Sequence, residues 1–164
     1  MERRPAIAVI GGGDAPPEVL ALAYRVGVEI GARGATLICG GRGGVMEAAA
    51  RGAQEHAAHT IGILPGYDPR DANVHIEFVI ASGLGEARNA VVIGSADAVV
   101  ALAGEGGTLA EIGFALKLGR PLIALRAWPH IEGIVHADEP EEAVAEAVRM
   151  ARLAFARRAK GSSA

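Results

Sequence analysis

Residues 99–118 read V-V-A-L-A-G-E-G-G-T-L-A-E-I-G-F-A-L-K-L, a strand, a turn and a helix in one run. The apolar run 97–102 has the length and flanks of a buried strand, and it passes through a glycine-rich turn straight into an apolar helix predicted over 107–118. Gly104, Gly106 and Gly107 carry no side chains, so a ligand can approach the backbone of the turn closely. The helix behind the turn offers unpaired N–H groups and the positive end of its dipole. Such a turn suits an anion, phosphate above all. Thr108 and Glu111 also have the spacing of a capping box, in which hydroxyl and carboxylate satisfy backbone N–H groups at the helix start.

The same arrangement recurs along the chain. A strand over 6–10 closes on Gly11, Gly12, Gly13 and Asp14, and Pro16 and Pro17 open a helix in which Val19, Leu20, Ala23, Val26 and Ile30 keep helical spacing. A strand over 36–39 leads through Gly40, Gly41, Arg42, Gly43 and Gly44 into a helix over 45–57. This second turn has the same anion-binding logic, with Arg42 placed to meet a phosphate. A strand over 60–64, a loop over 65–71, a strand over 75–81, a turn over 82–85 and a helix over 86–95 follow. Strands over 121–125 and 131–135 come next, and a last helix starts at Asp138 with Val144, Ala147, Val148, Ala151 and Phe155 on one face. Arg157, Arg158 and Lys160 suit the C-terminal end of that helix.

Strands alternating with helices, each connection long enough for a crossover, predict an α/β fold: a Rossmann-like three-layer α/β/α domain with a parallel sheet. It is expected to be one nucleotide-binding-like domain over 1–160 with a frayed tail at 161–164. Ligands in such sheets bind beyond the carboxyl ends of the strands. The candidate ligand-binding residues are therefore Gly12 and Gly13 in the first turn, Gly41, Arg42, Gly43 and Gly44 in the second, and Gly104, Gly106, Gly107 and Thr108 in the third. Asn73 and Arg70 join them from the loop after the third strand. The first turn has Pro16 where G-x-G-x-x-G needs its third glycine, which disfavours a dinucleotide but not a mononucleotide.

Arg88 falls in the first turn of its helix, where the dipole disfavours a cation by up to about 1 kcal/mol. A phosphate or carboxylate against the guanidinium offsets that cost. Asn89 beside it is placed to hydrogen-bond the neighbouring turn.

Composition narrows the classes further. With 164 residues, 51% hydrophobic and only 4% aromatic, the chain packs with Ala, Val, Ile and Leu in a core of ordinary domain size. A net charge of −3 argues against nucleic-acid and anionic-membrane partners. Cys39 is the sole cysteine, which excludes an internal disulfide and a Cys-rich metal site, and it reads as an inert buried hydrophobe. The N-terminal apolar run is too short for a signal peptide and no stretch approaches a membrane span, so a cytoplasmic location is expected. His56 and His59 are three apart on one predicted helix with no third ligand nearby, so no metal site is expected; no cofactor is expected either. There is no G-K-[ST], G-x-S-x-G or H-E-x-x-H motif.

The stretch A-L-A-G-E-G-G-T-L-A-E resembles the P-G-G-x-G-T-x-x-E signature of the LOG-type proteins, once labelled lysine decarboxylase-like. Many of these release a base from a nucleoside 5′-monophosphate. Gly104, Gly107, Thr108 and Glu111 match, whereas Ala103 and Glu105 replace the signature's proline and second glycine. Gly40, Gly41, Gly44 and Met46 match the family's G-G-x-x-G-x-M turn, and G-L-G-E-A-R-N puts Arg88 at the family arginine. The variant S-G-L-G-E-A-R-N is similar to a shorter branch near the molybdenum-cofactor carrier proteins. The resemblance runs from the first strand to about Leu125.

Two functions follow from the resemblance. In the first, a phosphoribohydrolase-like enzyme, the glycine turns hold a 5′-phosphate and Arg88 and Glu111 are the catalytic residues at the anomeric carbon, where a carboxylate stabilises oxocarbenium character or activates water. In the second, a carrier without chemistry holds a phosphorylated ligand such as molybdenum cofactor in the same turns. Lysine decarboxylation is excluded: a pyridoxal-phosphate enzyme needs a Schiff-base lysine, and Lys117 and Lys160 are at no site-forming turn.

The helices predicted over 86–95 and 107–118 are apolar on nearly every side, so they need cover beyond one sheet face. A homodimer across a two-fold axis is expected, with pairing of dimers into a tetramer as its extension. The competing expectation is that the C-terminal helix covers them within one subunit. Trp128, Pro129 and His130 are expected to pad the surface rather than cover the pocket.

Overall fold

The computed structural model describes residues 3–161. Its strands are β1 (Ala6–Ile10), β2 (Thr36–Cys39), β3 (Thr60–Leu64), β4 (Phe78–Ala81), β5 (Ala98–Ala101), β6 (Leu122–Leu125) and β7 (Val135–Ala137). Its helices are α1 (Pro17–Ala32), α2 (Val45–Glu55), α3 (Arg88–Ser95), α4 (Gly106–Lys117) and α5 (Pro140–Gly161), with short 3-10 turns at Pro69–Asp71 and Gly85–Ala87. The strands form one sheet in the order β4-β3-β2-β1-β5-β6-β7. Every neighbouring pair is parallel, with Ala8 opposite Ile38 on one side of β1 and Val99 on the other.

Parallel strands covered on both faces have no side to give to polar residues, which is why β1 and β5 read as unbroken apolar runs and are buried throughout. Successive residues of β1 feed two separate cores. Ile7 and Val9 pack with Val26, Ala49 and Val144 from α1, α2 and α5. Ala8 and Ile10 pack with Val92, Ile93, Ile112 and Ala115 from α3 and α4. The edge strand β4 instead alternates, with Phe78 and Ile80 exposed. This is the three-layer α/β/α arrangement expected from the sequence.

On the first face α1 and α2 meet backbone to backbone. A Cβ at Gly27 would overlap the Ala49 carbonyl, and one at Gly52 would overlap the Tyr24 carbonyl. The two glycines set the distance between the helices.

Four expectations change. The last strand is Val135–Ala137, not 131–135, because Gly133 turns the chain at φ +81° and Ile131 and Ile134 pack from a loop against the α3–α4 core. Helix α4 starts at Gly106 with Glu105 as its N-cap and no side-chain cap, so Thr108 lies inside the first turn and the capping box does not form. Helix α5 packs on the α1 face, so it does not cover α3 and α4. Val91, Leu109, Leu116 and Leu118 consequently stay exposed. Trp128 is half-buried and donates its indole N–H to the Leu102 carbonyl at 2.9 Å, bracing the end of β5 rather than padding the surface.

His56 and His59 fall beyond the end of α2; the first lies 3.1 Å from the Gly52 carbonyl and the second 2.8 Å from Glu77. Helix α5 extends to Gly161, while residues 162–164 and the side chains of Arg157, Arg158 and Lys160 lie outside what is described. No helix among the described residues is long and apolar enough to cross a membrane.

Candidate functional site

From β1 the chain winds through β2, β3 and β4 to one edge of the sheet, then returns to place β5 on the other side of β1. That reversal opens a crevice between the turns after β1 and β5, the general position for ligands in open α/β sheets. Gly12 ties the crevice together through its backbone: its N–H donates to the Ala103 carbonyl at 2.9 Å, and its carbonyl accepts from Val45 N–H at 3.0 Å at the start of α2. Gly44, the residue before α2, sits at φ +65° against the Gly12 and Gly13 carbonyls, where a Cβ would overlap both. All three glycine turns are thus joined at one point.

The resulting cleft has a volume of about 250 Å³. Gly12, Gly13 and Gly107 form walls, Arg88, Asn89, Thr108 and Glu111 supply polar groups, and Asp14, Glu86 and Glu105 are exposed carboxylates along it. Asn89, Thr108 and Glu111 are 7%, 4% and 8% exposed, yet none of their side chains hydrogen-bonds a described residue. The other two buried polar residues behave differently. Asp97 accepts from the Ala6 N–H and Arg3, and the Thr60 hydroxyl donates to the His75 carbonyl and accepts from the Glu77 N–H. The unpaired polar atoms of these three residues open to the cleft rather than being sealed in the core, which makes it the candidate ligand site.

Arg88, the first residue of α3, adds a guanidinium that makes no hydrogen bond or ion pair with a described residue. Burial depresses its pKa, opposed chiefly by the charge of Glu111. Glu111 responds in the other direction: burial pushes its carboxyl up to about 7, against the pull of Arg88 and with a smaller push from Glu86. A carboxyl that titrates near neutrality can hold or take a proton there. Cys39, beneath this pair, is inert as expected, since burial pushes its thiol up to about 12 while the Gly41 N–H donates to its sulfur at 3.3 Å.

Of the residues singled out from sequence, the cleft takes in Gly12, Gly13, Arg88, Gly107, Thr108 and Glu111. Gly41, Arg42, Gly43, Gly44, Asn73, Gly104 and Gly106 lie outside its lining. Asn73 braces the second turn: its Nδ2 donates to the Arg42 carbonyl at 2.8 Å and its N–H to the Gly41 carbonyl at 2.9 Å. Arg70 is exposed and forked onto Asp68. Gly104 stands where a Cβ would overlap the Thr108 hydroxyl, and Gly106 opens α4. Asn89 was legible only as a turn partner and instead faces the cleft, as do Asp14, Met46 and Glu86. The position of Asn89 one residue after Arg88, on a helix starting at the crevice, is the signal that could have found it.

The model of the SLOG cluster4 family matches residues 4–154. The chain belongs to the SLOG cluster4 family. An uncharacterized protein of Archaeoglobus fulgidus is 41% identical over 138 residues, covering 84% of this chain and 91% of the relative. The cytokinin riboside 5′-monophosphate phosphoribohydrolase of Mycobacterium marinum is 32% identical over 131 residues, covering 72% of this chain and 68% of the relative. Among solved structures, the molybdenum cofactor binding protein of Rippkaea orientalis superposes with a TM-score of 0.85 at 35% identity, covering 91% of this chain and 98% of that one. The molybdenum cofactor carrier protein of Chlamydomonas reinhardtii superposes with a TM-score of 0.81 at 30% identity, covering 90% and 98%. This SLOG cluster4 chain is therefore similar both to a phosphoribohydrolase and to cofactor carriers, in accord with the resemblance carried by its glycine turns.

Proposed function

We propose that the cleft binds a small phosphorylated ligand of the nucleoside 5′-monophosphate class and that Glu111 and Arg88 act on its N-glycosidic bond. The observation that carries the reading is the pairing of an unpartnered, buried Glu111 with an unpartnered Arg88 in one cleft at the start of α4. The phosphate meets the guanidinium of Arg88, the one cation among the described residues of the lining. Glu111, titrating near neutrality, activates water as a general base or steadies positive charge on the sugar ring as the bond to the base breaks. Similarity to the Mycobacterium marinum phosphoribohydrolase supports this chemistry.

A carrier without turnover is the second reading, favoured by the cofactor-binding neighbours, which match nearly their whole length. Incubating the protein with a panel of nucleoside 5′-monophosphates and following free base and ribose 5-phosphate separates the two. Release that disappears in Glu111→Gln supports the enzyme; tight binding with no release supports the carrier.

The exposed apolar residues of α3 and α4 support a homodimer in which these helices meet across a two-fold axis, with further pairing into a tetramer as the extension.

A further inference from the structure

The cleft is short of positive charge for a site that takes a phosphate. Arg88 is its one cation among the described lining residues, set against the carboxyl groups of Asp14, Glu86, Glu105 and Glu111. The carboxylates of Asp14, Glu86 and Glu105 are exposed and make no hydrogen bond or ion pair with a described residue; Glu86 feels the charge of Arg88, and no other cation lines the cleft among the described residues. Nor do three such groups come close enough among the described residues to hold a metal ion. A ligand that was an anion throughout would be repelled by these carboxylates.

The polar residues beside these acids show that a ligand belongs here. Asn89, Thr108 and Glu111 are each more than nine-tenths buried, unpaired and part of the same lining. The cleft therefore fits a ligand with an anionic end and a donor-bearing end. A carboxylate only accepts hydrogen bonds, and the planar group it binds best presents two adjacent N–H donors. A guanine-type edge, a ring N–H beside an exocyclic amino group, provides them. An adenine-type edge offers an acceptor at the ring nitrogen, which would face the carboxylate lone pairs. Among the three acids, Glu105 is the one free to do this. It is the N-cap of α4, but its side chain makes no capping hydrogen bond. Glu86 is coupled to Arg88 by charge, and Asp14 has the shorter reach.

We infer that Glu105 is a specificity residue that selects phosphorylated ligands carrying a guanine-type edge over those carrying an adenine-type edge. The inference rests on the reading of the cleft as a nucleotide-class site. The same edge occurs on pterins, so a phosphorylated pterin belongs in the test beside the nucleotides.

Calorimetric titration of the full chain with GMP, IMP, AMP and a pterin phosphate, repeated on Glu105→Gln, decides it. Wild type should bind GMP or the pterin phosphate about 10-fold or more tighter than AMP, with IMP between, as expected for one charge-assisted pair. Glu105→Gln should bring that ratio to within about 3-fold, because an amide satisfies one donor and cannot reject the adenine edge as strongly. The tighter of GMP and pterin phosphate identifies the source of the edge. Equal affinity for GMP, pterin phosphate and AMP in wild type, or a preference unchanged in Glu105→Gln, overturns the inference and leaves the nucleotide-class site standing. Failure of all four compounds to bind overturns both.

Discussion

The guanidinium of Arg88 lies directly against the backbone of Gly40, so that a methyl group at position 40 would overlap Nη1 and stand 2.7 Å from the Met46 sulfur. Gly40 follows β2, so the second glycine turn serves the cleft by giving Arg88 its place.

Gly40→Ala should therefore impair binding more than folding. The atoms in the way are the mobile ends of two side chains, which can yield, but the guanidinium then leaves its position. Loss of a charge-assisted phosphate contact costs about 1.5–3 kcal/mol, or about 10-fold or more in affinity. Calorimetry with a nucleoside monophosphate should read that loss, while a thermal melt of the same preparation shifts by less than about 3 °C. Unchanged affinity would separate Arg88 from the site.

Glu111 makes stability depend on pH in a direction opposite to most carboxylates. Its pKa rises from 4.5 to about 7 on folding, so between those values the folded state binds the proton that the unfolded state releases. Its favourable contribution is complete below pH 4.5 and is lost as pH rises through about 7. Relative to wild type, Glu111→Gln should gain on the order of 3 kcal/mol at pH 8 and little at pH 4.5. Urea midpoints at the two pH values check it; a variant less stable than wild type at pH 8 would show that the carboxylate is satisfied within the fold.

Gly52 fixes the approach of α1 and α2. Helix propensity alone favours Gly52→Ala by about 1 kcal/mol. The added Cβ would overlap the Tyr24 carbonyl and stand 3.0 Å from the Val28 nitrogen, so the helices must separate. Overpacking of this kind costs about 1–3 kcal/mol. A urea midpoint below that of wild type at unchanged m-value is expected, and a rise would contradict the packing argument.

Leu109 and Leu116 are 50% and 39% exposed on α4, outside the core that Ile112 and Ala115 fill. Sedimentation equilibrium at micromolar concentration should give at least twice the chain mass, and Leu109→Asp with Leu116→Asp should reduce it to one chain. A wild-type mass of one chain would remove the dimer.

The sheet was legible because its central strands are apolar on both faces: β1, β2 and β3 fall where the sequence puts them. The edge strand β7 was not, since Val135–Ala137 carries a polar residue at its centre while the denser apolar residues Ile131 and Ile134 pack from a loop. Local spacing misled at Thr108 as well. Gly106 and Gly107 disguise the first turn of α4 as loop, and Thr108 with Glu111 then imitates a cap although both side chains face the cleft. Arg88 was marked by its awkward place at a helix start. Glu105 stood out as a departure from the glycine signature, but Asn89, Asp14 and Glu86 did not, because only the crossing of three turns brings them to one cleft.

Glu111 and Arg88 are proposed to work as one pair on a nucleoside 5′-monophosphate. The most direct measurement is ribose 5-phosphate release by wild type, Glu111→Gln and Arg88→Ala across pH 5 to 9. Wild-type kcat/KM should change with an inflection near pH 7, set by Glu111, and both variants should lose about 100-fold or more. Release that persists undiminished in Glu111→Gln, or no release from any nucleotide by wild type, would contradict it.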